Sequence, residues 1–203
     1  MTVKVKAKGI FGYAGWSAFV SVAAMFASAL FQVFEMGGVF DTLGSISTLI
    51  LALSMLPIAL ALHQIYRVSN PELSTVTVLI GAAAMLAAAT VQILRLFGAV
   101  GLEELSSIPF VVIGVWLLFA GYLTLTTSAL PRTSGWLSII AGAGVVLVIA
   151  GFVVSYPPPL WGFAAYIAFV IAYPIWAIWL GRLLLSDKLT VSGQSPSMRG
   201  EVA

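Results

Sequence analysis

Two ionisable side chains lie inside long apolar stretches of the sequence, where charge is costly and often functional. The first is Arg95, in the segment VQILRLFG (91–98). Gln92 lies three residues before it, on the same face of a helix, and Gln32 and Glu35 repeat this spacing 60 residues earlier. We predict that these four residues form a ligand site in which the arginine binds an anionic group. The alternative is that Arg95 extends toward water and pairs with a nearby acid.

The second ionisable side chain is His63, in the segment LALHQIYR (60–67). An imidazole gains and loses a proton near neutral pH, so His63 is a candidate proton carrier. The alternative is a histidine that shares the membrane interface with Tyr66. A bis-histidine haem site needs two histidines and the chain has one. We expect no cofactor.

Pro57 and Pro174 lie within apolar segments that are long enough to be helices. A proline inside a helix leaves the carbonyl four residues earlier without its hydrogen bond, here the carbonyls of Leu53 and Val170. Such carbonyls can line a cavity, and the kink can act as a hinge. The alternative is that both prolines serve packing alone, since proline is frequent in membrane helices.

Trp176 lies between Tyr173 and Trp179, with a spacing of three residues that places the rings on one broad helix face. The rings are suited to stacking against a planar or lipid-like ligand. The alternative is a role in packing and in the belt of aromatic residues at a membrane interface.

The composition indicates what surrounds these residues. The 203-residue chain is 61% hydrophobic and 8% charged, with a mean hydropathy of +1.11, whereas a soluble domain has about 25% charged residues. So little charge cannot cover a surface in water, which predicts an integral membrane protein with the lipid bilayer as its partner. The absence of cysteine excludes disulfides and thiolate sites, and the net charge of +2 gives no reason to expect nucleic acid binding.

Six apolar runs are each long enough to cross a bilayer, which takes about 20 helical residues. They span 10–34, 42–66, 75–98, 107–130, 135–156 and 160–185. The runs lack the alternating pattern of strands, and helices satisfy their own backbone groups in lipid. We therefore predict an all-α bundle of six transmembrane helices as a single domain, 1–186. A signal peptide ending near residue 29 is the alternative for the first run, but that run is too long for one. We expect the polar tail, 187–203, to be disordered.

The distribution of charge predicts the orientation. Eight of the nine Lys and Arg residues fall on one side of alternating spans, namely Lys4, Lys6, Lys8, Arg67, Arg132, Arg182, Lys188 and Arg199. The loops on the other side contain Glu35, Asp41, Glu103 and Glu104. By the positive-inside rule we expect both termini in the cytoplasm and the protein in the plasma (inner) membrane.

A repeat of 60 residues relates the segments AAMFASALFQVFE (23–35) and AAMLAAATVQILR (83–95), and a further step relates the Gly-Trp pairs at 15–16 and 135–136. The repeat predicts three tandem helical hairpins of the same orientation. The alternative is chance matching between alanine-rich helices.

The hairpin GYLTLTTSALPRTSGWLSIIAGAG (121–144) and the segment YPIWAIWLGRLLL (173–185) resemble a bacterial family of multi-pass membrane proteins whose function is not characterised. The resemblance implies about six helices in a bacterial plasma membrane, and it carries no site residue to this chain.

Motifs for nucleotide binding, metalloprotease chemistry and a Ser-His-Asp triad are missing from the sequence. We therefore expect no catalytic residue and no metal site, and a protein that is not an enzyme. Two functions remain open. The first is a small transporter or a ligand- or lipid-binding membrane protein with a polar site that faces outward. The second is a non-catalytic accessory or assembly subunit, which would bind a membrane protein partner or a second copy of itself.

Overall fold

The computed structural model describes residues 9–33, 38–99 and 103–186, and this part of the chain is helical. Its helices are α1 (Ile10–Val33), α2 (Val39–Tyr66), α3 (Pro71–Leu96), α4 (Glu103–Thr127), α5 (Arg132–Val154) and α6 (Leu160–Leu185). All six are long and apolar enough to cross a membrane. The predicted all-α bundle of six spans is thereby confirmed. The polar tail that we predict to be disordered lies outside the described residues.

Four helices begin earlier than the apolar runs that predict them. α2, α3, α4 and α5 each start three or four residues before the run. In α3, α4 and α5 the reason is that the first helical turn is mostly polar, as in α3, where Pro71 occupies the first position and Glu72 follows. The side chain of Asn70 caps this helix by accepting a hydrogen bond from the Leu73 backbone N–H at 3.2 Å. Hydropathy detects the part of a helix that lies in lipid, whereas capping determines where the helix begins.

The six helices form a closed ring. Each helix packs against its neighbours in the chain, α6 packs against α1, and α2 also touches α4 across the centre. Gly15 of α1 lies against Gly181 and Leu185 of α6, so the start of α1 and the end of α6 are at the same end of the bundle. We call this the terminal end. The opposite end contains the α1–α2, α3–α4 and α5–α6 connections.

Glycines allow several helix pairs to approach with their backbones in contact. A Cβ added to Gly142 of α5 would lie 2.6 Å from the carbonyl oxygen of Gly114 on α4. Closer to the terminal end, a Cβ on Gly121 of α4 would lie 2.7 Å from the carbonyl oxygen of Gly135 on α5. These distances leave no room for a side chain. Small residues therefore hold α4 and α5 together, as is common where membrane helices pack closely.

Residues related by the 60-residue repeat have similar surroundings. Met25 on α1 and Met85 on α3 are both buried, whereas Trp16 on α1 and Trp136 on α5 are both more than half exposed. Helices α1, α3 and α5 also begin at residues 10, 71 and 132, close to the repeat length. This agreement supports three related hairpins. That the hairpins arose from one repeated unit stays a prediction.

Candidate functional site

A cavity of about 920 Å³ lies inside the ring, in the half of the bundle opposite the terminal end. All six helices contribute to its wall. Its size is within the range of pockets that hold small organic ligands. Its polar side chains are Ser28, Asp41, Ser45, Thr48, Gln92, Arg95, Ser107, Tyr156 and Tyr166, and much of the remaining wall is aromatic, including Phe26, Phe31, Phe40, Phe110, Phe152, Phe163 and Phe169. A wall of this kind suits a ligand with an apolar body and one polar end.

Large side chains fill the ring on the terminal side of the cavity. Trp116 of α4, Met85 of α3, and Tyr173 and Trp176 of α6 are each almost fully buried. The rings of Trp116 and Trp176 meet edge to face, with centroids 6.4 Å apart and planes at 80°, a favourable arrangement for aromatic pairs. Each of these residues lies further toward the terminal end than the cavity residues of its own helix. We call these four side chains the plug, since they separate the cavity from the terminal end.

Gln92 is the most unusual residue of the cavity wall. It lies on α3, it is only 3% exposed, and it lines the cavity. Its Oε1 atom is buried and has no hydrogen-bond partner among the residues that the structure describes. Buried polar atoms nearly always have a partner, so an exception in a cavity requires an explanation. A ligand that donates a hydrogen bond would provide one.

Arg95 lies one helical turn beyond Gln92 and also lines the cavity. Its side chain is exposed in the last turn of α3, and we call the part of the cavity beside it the mouth. Residues three apart on a helix face the same way, so the two side chains present an amide and a cation to the same space. The structure therefore brings together two of the four residues that the sequence predicts for the ligand site.

The other two predicted residues lie at the same end of the bundle but cannot be placed in the site. Gln32 belongs to the last turn of α1, and its side chain lies outside the described part of the structure. Glu35 lies outside the described residues altogether, and so do the side chains of Glu103 and Glu104 as possible partners of Arg95. The four-residue site and the pairing of Arg95 with an acid both stay predictions.

Helix α2 contributes polar residues that the sequence analysis missed. Asp41, Ser45 and Thr48 line the cavity, and their spacing of three and four residues places them on one helix face. The Thr48 hydroxyl lies 2.7 Å from the Ser28 hydroxyl of α1 and donates to the Gly44 carbonyl at 2.9 Å. This polar stripe was visible in the sequence. Serine and threonine alone were not distinctive, because such residues often bond to their own helix.

His63 lies away from the cavity, near the terminal end. Its Nδ1 atom is 2.9 Å from the Ser74 hydroxyl, and the same hydroxyl donates to the His63 carbonyl oxygen at 3.2 Å. These contacts join α2 to α3, so the structure gives His63 a structural contact. Tyr66 packs inside the bundle, because it is 2% exposed and its hydroxyl lies 2.5 Å from that of Thr124; an interfacial depth for His63 and Tyr66 stays a prediction.

The two prolines differ in their relation to the cavity. Pro174 frees the carbonyl of Val170, and Val170 lines the cavity. Pro57 frees the carbonyl of Leu53, a residue that is 44% exposed on the outside of the bundle. Val170 is among the cavity residues and Leu53 is not, and the role of either proline as a hinge or cavity element stays a prediction. Trp176 is part of the plug, so it packs in the core and is not in an interfacial belt.

The architecture is that of a multi-pass helical membrane bundle with a cavity in one half. No family model, curated protein or solved structure matches the chain. The described residues contain no group of three His, Asp or Glu side chains that could hold a metal ion. Any functional conclusion must therefore come from the chemistry of the cavity.

Proposed function

We propose that this protein is a small transporter or a ligand-binding membrane protein, and that the cavity is its binding site. The observation that carries the proposal is Gln92, whose Oε1 atom is buried in the cavity wall without a partner among the described residues. An unpaired buried polar atom costs about 1–3 kcal/mol. A ligand that donates a hydrogen bond to Gln92 Oε1 would remove this cost, which explains why the unpaired oxygen lies beside a cavity.

The neighbouring groups indicate how a ligand would be oriented. Arg95 presents a planar guanidinium, which binds carboxylate or phosphate groups with two parallel hydrogen bonds. The aromatic residues of the wall, such as Phe110 and Phe169, offer apolar surface to the remainder of the ligand. The ligand would thus place an anionic group and a hydrogen-bond donor near Arg95 and Gln92.

Substitution of Arg95 tests the proposal. Arg95→Lys keeps the charge but loses the bidentate geometry, so we expect both Arg95→Lys and Arg95→Ala to fold normally and to lose bound ligand. Arg132→Lys is the matched control, since Arg132 is also exposed but begins α5 at the terminal end. Native mass spectrometry after mild detergent extraction measures which molecules remain bound.

The outcome also separates the two functions that the sequence leaves open. A small molecule or lipid bound to the native protein and to Arg132→Lys, but lost from both Arg95 variants, supports the proposal. A stoichiometric protein partner with no small molecule supports an accessory or assembly subunit instead. Unchanged small-molecule binding in both Arg95 variants would show that the arginine is structural.

We propose further that the protein lies in the plasma membrane with both termini in the cytoplasm, so that the cavity faces outward. The support is the distribution of Lys and Arg in the sequence. Reporter fusions after residue 203 and in the loop 67–74 should give a cytoplasmic signal, and a fusion at residue 103 should give an external one. The opposite signals would place the cavity on the cytoplasmic side.

A further inference from the structure

The ring of helices has one neighbouring pair that no loop joins, α1 and α6. Close contact between these helices occurs near the terminal end. There, a Cβ added to Gly181 would lie 2.9 Å from the carbonyl oxygen of Gly15 and 3.1 Å from the Cβ of Ala18. The contact at the terminal end therefore brings the two backbones together.

In the opposite half, residues of the same two helices line the cavity. Phe26 of α1, and Phe163 and Tyr166 of α6, all belong to its wall. They are 50%, 56% and 40% exposed. We call these three residues the α1–α6 seam. By helix periodicity Phe26 and Phe163 lie on the same helix faces as Gly15 and Gly181, so this part of the cavity wall is the boundary between α1 and α6.

Beside the cavity, α6 is held to α5 and α1 is held to α2 by close contacts. On the α5–α6 side, a Cβ added to Gly151 would lie 3.1 Å from the Cα of Gly162. On the α1–α2 side, Ser28 and Thr48 are hydrogen-bonded. Both of these pairs are also joined by a loop at this end of the bundle. Unlike these two pairs, α1 and α6 are not joined by a loop at this end of the bundle.

We infer that the α1–α6 seam is a lateral entrance from the bilayer, and that the ligand is an anionic amphiphile with a long apolar chain. This inference rests on the proposed function of the cavity. At the cavity mouth Arg95 donates to the anionic oxygens of a phosphate monoester headgroup, the remaining P–OH of the monoanion donates to Gln92 Oε1, and the chain lies along the aromatic wall. A ligand that is dissolved in the membrane reaches the site between the two helices without crossing the water at the mouth.

The test uses two probes with the same headgroup, dodecyl phosphate and butyl phosphate. The long probe partitions into bilayers and the short one stays in water, since each buried CH₂ is worth about 0.8 kcal/mol. The chain has no cysteine, so a single introduced thiol can carry a bulky maleimide. Leu30→Cys and, separately, Ile167→Cys place the label at the outer edge of the seam, one helical turn from Phe26 and Phe163 on the same helix faces. Leu30 and Ile167 are 54% and 45% exposed and are not among the cavity residues. Ile171→Cys is the control, because Ile171 is 56% exposed on α6 and is not among the cavity residues.

Association of each isotope-labelled probe is measured with the protein in phosphatidylcholine nanodiscs, before and after thiol labelling. We expect a label at either seam position to slow the association of dodecyl phosphate about tenfold or more, with that of butyl phosphate unchanged. A label at Ile171→Cys should slow neither probe. This combination supports a lateral entrance for a long-chain anionic ligand.

Three other results would overturn the inference. Dodecyl phosphate that binds equally fast to the seam-labelled protein does not enter there, and binding of butyl phosphate alone indicates a small water-soluble ligand. Equal slowing of both probes means that the water-soluble probe uses the same route, so the seam is not a route reserved for ligands dissolved in the bilayer. In these cases the proposed binding function survives, because a probe still binds to the unlabelled protein and requires Arg95. If neither probe binds to the unlabelled protein, the ligand class is wrong, and the native mass measurement on the Arg95 variants decides the proposed function separately.

Discussion

Replacement of Gln92 by leucine should make the protein more stable and less able to bind its ligand. Gln92 is 3% exposed and its Oε1 atom lacks a partner among the described residues. Leucine is similar in size and carries no polar atom, so Gln92→Leu removes a desolvation cost of about 1–3 kcal/mol. The free energy of unfolding should rise by that amount, and ligand binding should fall.

A matched control replaces a buried polar side chain that does have a partner. Thr124 is 1% exposed, and its hydroxyl meets that of Tyr66 at 2.5 Å. Thr124→Val removes this interaction and leaves the tyrosine hydroxyl unpaired, so it should lower the free energy of unfolding by about 1 kcal/mol. The two substitutions therefore have opposite expected signs although both remove a buried polar group.

Reversible unfolding in mixed micelles with increasing dodecyl sulfate measures both variants. The plug residues Trp116 and Trp176 are buried, so tryptophan fluorescence should change when the ring opens. If Gln92→Leu destabilises the protein as much as Thr124→Val does, Gln92 has a partner in the folded protein. In that case the Gln92 amide is not retained for a ligand.

Two further pairs of substitutions test the packing and the cavity. Gly142→Ala should lower the free energy of unfolding by about 1–3 kcal/mol through overpacking against the α4 backbone. Gly44→Ala should be neutral or stabilising by up to about 1 kcal/mol, because its Cβ would lie 3.7 Å from the nearest atom. Thermal unfolding in detergent measures both variants. Pro174→Ala restores a hydrogen-bond donor for the Val170 carbonyl and should weaken ligand binding about tenfold, equivalent to about 1.4 kcal/mol. Pro57→Ala should leave binding unchanged. Equal effects of the two substitutions in a binding assay would contradict the assignment of Val170 to the site.

The helices could be predicted from the sequence because the signal is local. Runs of about 20 apolar residues identify the spans, and a charge within such a run stands out, which is why Arg95 and the neighbouring Gln92 were found. An apolar residue in the core gives no such signal, because many other residues of a membrane helix are also apolar. Trp176 and Tyr173 were grouped correctly on one face, but the sequence could not show that this face meets Trp116 across the ring.

The cavity itself could not be predicted, because it depends on how distant helices close the ring. Contact between α1 and α6 involves residues at opposite ends of the sequence, such as Gly15 and Gly181. No local pattern specifies this contact. The stripe formed by Asp41, Ser45 and Thr48 becomes meaningful only once α2 is known to face the interior at that depth. Periodicity places residues on a helix face, but the ring determines what that face meets.

Whether the cavity serves binding alone or also transport depends on the plug. Along α6 the cavity residue Val170, the helix-interior Pro174 and the plug residue Trp176 follow one another within two turns. A proline is the position where a helix bends most easily, because one backbone hydrogen bond is already missing. A change in the kink angle at Pro174 would shift the cavity wall and Trp176 together. A ligand bound in the cavity can in this way influence whether the plug opens. Without such movement Trp116 and Trp176 keep the terminal end closed, and the proposed site would serve binding without release on the other side.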